Sequence, residues 1–117
     1  MTAEELVREY YFHDSVLTDM KYSGNKLVLT VELCMYMQNG YSDGDPEIKT
    51  VNVEFIGVAD FKFDNRTGLE DAEILELSYE NNAVKLVLFN DEISVIIFEC
   101  SEVNISDLFW RSVDGGI

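Results

Sequence analysis

"LVLTVELCMYM", residues 27–37, puts Leu27, Leu29, Val31, Leu33, Met35 and Met37 on its odd positions. The even positions mix Val28, Thr30, Glu32, Cys34 and Tyr36. Side chains alternate across a strand with a period of two, so the stretch reads as one long strand with a face committed to a core. Working outward, Ser23-Gly24-Asn25 is the turn into a preceding strand over residues 16–22, and the two form a hairpin. Val51, Val53 and Phe55 alternate with Thr50, Asn52 and Glu54 in a third strand. Its phase slips at Ile56-Gly57-Val58, which predicts a bulge or bend at Gly57 before Phe61 and Phe63 resume the pattern.

Asn65-Arg66-Thr67-Gly68 reads as a turn. Residues 74–80 and 83–89 flank Asn81-Asn82, a two-residue hairpin signal because asparagine tolerates positive φ. Residues 93–98 are apolar on both faces, which predicts a central strand. Residues 104–111 fit either a last strand or a short helix. At the other end, Thr2-Ala3-Glu4-Glu5 is a capping box, with Leu6, Val7, Tyr10 and Tyr11 at helical spacing behind it. A helix over residues 3–11 is expected. The expected fold is mainly β: a β-sandwich or strongly curved antiparallel sheet of about seven strands, with a short N-terminal helix. One globular domain over residues 1–117 is expected.

Charge narrows the function classes. Twenty-three acids against eight bases give a net charge of −15, spread along the chain. Such a surface repels phosphate backbones and anionic lipid, so neither nucleic acid nor membrane is an expected partner. It attracts a basic protein, although acidity can also serve solubility alone. Met1 to Glu5 is acidic and polar, without the basic and apolar regions of a signal peptide. Cys34 and Cys100 are far apart and form no CxxC pair, so two reduced, strand-buried thiols in a cytoplasmic protein are expected.

The motifs that could carry chemistry are few. His13, the only histidine, stands beside Asp14 and Ser15 where the helix gives way to the first strand. Neighbouring side chains on a strand point to opposite faces, so three consecutive residues do not assemble a relay by themselves. Zinc catalysis would need distant cysteines to join one imidazole. Asp14 or Ser15 suits a second role, satisfying backbone donors at a turn. Tyr41, Asp43, Asp45 and Glu47 gather in a loop over residues 38–47, with Asn39-Gly40, Asp43-Gly44 and Pro46. "SDGDPE" lacks the ligand order of an EF-hand, so no calcium is expected, and no other metal or cofactor either. The chain has no GxSxG, P-loop or GxGxxG. Tyr10-Tyr11-Phe12 and Leu108-Phe109-Trp110 are aromatic clusters that suit either core packing or an interface.

"FHDSVLTDMKYSGNKLVLTVEL", residues 12–33, with "VNVEFIGVADFKF", residues 51–63, resembles a group of small bacterial proteins with an HDS-type N-terminal motif. Some of these are similar to immunity proteins of polymorphic toxin systems. The resemblance covers about residues 12–63 and implies a bacterial cytoplasmic binding protein, with no catalytic residues carried over. Two function classes stand open. One is a non-enzymatic interaction protein, immunity-type, whose candidate partner-binding residues are Tyr41, Asp43, Asp45, Glu47 and Trp110. The other is a small-ligand binder or hydrolase with a polar site at His13, Asp14 and Ser15.

Overall fold

The computed structural model describes residues 1–64 and 71–107. Its helix α1, Ala3–Glu9, starts at Thr2, whose hydroxyl accepts from the Glu5 N–H while the Glu5 carboxylate accepts from the Thr2 N–H. That pairing holds the Glu5 carboxyl below the usual carboxylate range. Leu6 turns into the core and is fully buried. The helix ends two residues before the expected bound, and Tyr10 already has extended backbone.

Eight strands follow: β1 Val16–Ser23, β2 Lys26–Cys34, β3 Ile48–Ile56, β4 Ala59–Asp64, β5 Ala72–Glu80, β6 Ala83–Asn90, β7 Glu92–Glu99 and β8 Glu102–Asp107. They form one antiparallel sheet in the order β4-β7-β6-β5-β1-β2-β3-β8, which is not closed. The mainly β expectation holds, as a curved sheet. Its eighth strand is the segment that the sequence left between strand and helix; residues 108–111 lie outside the described residues, as does the turn expected at Asn65 to Gly68.

Consecutive strands β3 and β4 stand far apart in this order, β4 at one edge and β3 next to the other, and β7 and β8 are likewise separated. Ile56 nevertheless pairs with Glu102, and Ala59 with Glu99, so one register runs on through the bends at Gly57-Val58 and Cys100-Ser101. The sheet therefore curls until its two halves face one another. Gly57 has φ +72, which the predicted bend requires. Inside the curl, Phe55 of β3 meets Phe98 of β7 edge to face at 4.9 Å between ring centroids. Leu27, Leu29, Val31, Leu33, Val51, Val53 and Phe55 are all buried, as their alternation predicts. Each large apolar side chain so removed from water contributes about 1.5–3 kcal/mol.

Two expectations need correction. The long strand stops at Cys34, and Met35–Met37 form a 3-10 turn. The Gln38 side-chain amide donates to the Cys34 carbonyl at 2.8 Å, taking an acceptor that the chain's departure leaves over. Second, only Cys34 is a buried strand thiol. Cys100 lies half-buried in the bend after β7, where desolvation pushes its thiol pKa up.

Candidate functional site

The chain reaches β1 through a turn built at the edge of β5. Asp14 takes φ +71, and its N–H donates to the Ile74 carbonyl at 3.1 Å. The Ser15 N–H closes on the Phe12 carbonyl at 3.0 Å, and Ile74 N–H donates to the Ser15 carbonyl at 2.8 Å. The two bonds to Ile74 continue the β1–β5 ladder by one step beyond Val16 and Glu73.

His13 occupies the next step with its side chain. Its Nδ1 lies 2.7 Å from the Leu75 carbonyl oxygen. A carbonyl only accepts, so Nδ1 carries the proton and a neutral ring leaves Nε2 as an acceptor. Nε2 is 3.4 Å from Asp14 Oδ1, a pair that attracts only when the imidazole is protonated. Ser15 is buried, and its hydroxyl oxygen accepts from the Cys34 N–H at 2.9 Å. The three residues thus share one turn, while the His13 imidazole and the Ser15 hydroxyl are engaged with different backbone groups. A nucleophilic relay needs the hydroxyl on the imidazole and open to substrate.

An open cleft of about 310 Å³ lies alongside, lined by Val7, Tyr10, Tyr11, His13, Glu76 and Leu77 among others. A second, of about 240 Å³, shares Val7, Tyr10 and Tyr11 and reaches Met37 and Asn39. Tyr11, which lines both, is held by Gln38, a residue with no role in the sequence reading. Its Oε1 accepts from Tyr11 N–H at 2.9 Å, and its Nε2 donates to the Tyr11 carbonyl as well as to Cys34. This amide does what a strand residue's backbone would do. Nothing in a glutamine's local sequence signals it.

The acidic loop is tied to itself. Asp45 accepts the Ser42 N–H on its carboxylate at 3.0 Å, and the Tyr41 hydroxyl reaches the Asp45 carbonyl at 3.4 Å. Tyr41 is half-buried, while Asp43, Asp45 and Glu47 are exposed. The Met35 N–H donates to the Glu47 carbonyl at 2.7 Å and closes the loop at its base. Trp110 lies outside the described residues. Among the described residues, no group of three or more His, Cys, Asp or Glu side chains is placed to hold a metal ion. No described helix is long and apolar enough to cross a membrane.

No protein-family model matches the chain, and no curated protein matches it. Among solved structures it is similar to the crystal structure of an uncharacterized protein from Neisseria gonorrhoeae. The two share 16% identity at a TM-score of 0.49, over 82% of this chain and 93% of the other.

Proposed function

We propose that this protein is a non-enzymatic interaction domain that receives a basic protein, in the manner of an immunity protein meeting its toxin. The observation that carries this is where the acids stand. Asp43, Asp45 and Glu47 in the loop, and Asp60, Asp71, Asp91, Glu99 and Glu102 at strand ends, are all exposed. Lys26 and Lys49 are already occupied with Glu54 and Asp107. A field of one sign over a small domain raises the encounter rate with an oppositely charged surface and disfavours acidic competitors. A cytoplasmic setting belongs to this proposal, since thiols such as Cys34 and Cys100 stay reduced there. Partner capture from the native organism tests it: a basic protein retained at low salt and released at high salt supports it, and capture of only acidic or neutral proteins contradicts it.

A second reading is favoured by the cleft beside His13. The Val7, Tyr10 and Leu77 side chains, with the imidazole among the lining, suit a small aromatic ligand. Binding that disappears in His13→Ala, with the melting temperature retained, would carry that reading instead.

A further inference from the structure

The β6–β7 ribbon is apolar on both faces. Its inner pairs Val84–Phe98, Leu86–Ile96 and Leu88–Ser94 are buried. Its outer pairs are Lys85–Ile97, Val87–Val95 and Phe89–Ile93. Here Phe89 is 43% exposed, Ile93 52% and Ile97 37%. Scattered apolar residues on a surface are ordinary, but these adjoin one another across two strands. The sequence's expectation of a central strand is met in the sheet, where β7 has β4 and β6 on either side, yet no second layer of described residues covers this outer face.

Charge decides what fits there. On β5, Glu73 lies opposite Phe89 and Glu76 opposite Val87, and the exposed Asp91 closes the ribbon's tip at φ +69. Lys85 and Lys62 flank only the Ile97 end. A second copy laid on this face would bring two chains of net charge −15 together. The complementary surface is an apolar ridge bordered by cations.

We infer that the outer face of β6 and β7 docks a protein partner whose apolar ridge carries lysine or arginine along its border. This rests on the interaction reading above and names its surface. Phe89 and Ile93 are the anchors, and Glu73, Glu76 and Asp91 orient the partner.

The test titrates the full chain with three short peptides, alternating Leu/Lys, Ser/Lys and Leu/Glu, and maps backbone and methyl NMR shifts. The Leu/Lys peptide should bind with shifts centred on Phe89, Ile93 and Ile97, about tenfold tighter than Ser/Lys, with Leu/Glu weakest. The variant Ile93→Ser should weaken Leu/Lys binding by about tenfold with little loss of melting temperature, because that side chain is 52% exposed. Shifts confined to the loop over residues 38–47, or equal binding of the two lysine peptides, would overturn the docking face and leave the charge reading standing. Failure of both lysine peptides to bind would overturn the two together.

Discussion

Gly57 packs against Ser101 where the two bent strands cross from one half of the sheet to the other. The Ser101 hydroxyl donates to the Ile56 carbonyl at 3.0 Å, and its N–H donates to the same oxygen at 2.9 Å. A methyl group on Gly57 would overlap Ser101 Oγ, and φ +72 already disfavours an L side chain there. Gly57→Ala should therefore lose about 1–2 kcal/mol to backbone strain and about 1 kcal/mol more to the displaced hydroxyl. Urea denaturation measures this. An unchanged midpoint would show that the corner is not held as described.

The turn at residues 13–15 predicts an order of effects. Ser15→Ala leaves the buried Cys34 N–H without its acceptor, which costs about 1–3 kcal/mol. His13→Ala should cost less, because the imidazole is 43% exposed and water can replace it at the Leu75 carbonyl. Asp14→Gly should be more stable than Asp14→Ala by about 1 kcal/mol, since φ +71 suits glycine. Thermal melts of the four variants give the ranking, and a His13 variant less stable than the Ser15 one would refute it.

Desolvation raises the Cys100 thiol pKa and so lowers its thiolate fraction near neutral pH. Native protein at pH 8 should alkylate at Cys100 more slowly than a free cysteine peptide does, and buried Cys34 more slowly still. In denaturant both should react at the peptide's rate. Mass spectrometry of a timed alkylation reads both sites, and faster labelling of Cys34 than of Cys100 in the native state would contradict the described burial.

Legibility in the sequence followed the range of the interactions. The capping box at Thr2 and Glu5, the buried row from Leu27 to Leu33 and the Asn81-Asn82 turn, with φ +54 and +64, are local patterns and were readable. The end of β2 was not. Met35 and Met37 keep the period of two, while the carbonyl left over at Cys34 is taken by a Gln38 amide that also reaches back to Tyr11. Gly57 announced a bend, but its consequence depends on Ser101, distant in sequence. Residues 93–98 stand inside the sheet as their apolar character predicts, whereas the exposure of Ile93 and Ile97 depends on what packs on the outer face, which composition does not report.

The most direct measurement of the central claim is the association rate of this protein with its captured partner across a salt series. Screening shortens the Debye length from about 30 Å at 0.01 M to about 8 Å at physiological ionic strength. If the −15 charge steers a basic protein onto this surface, the rate should fall by about tenfold or more over that range, with the dissociation rate changing far less. An association rate indifferent to salt would contradict the account and leave the acidity to solubility alone.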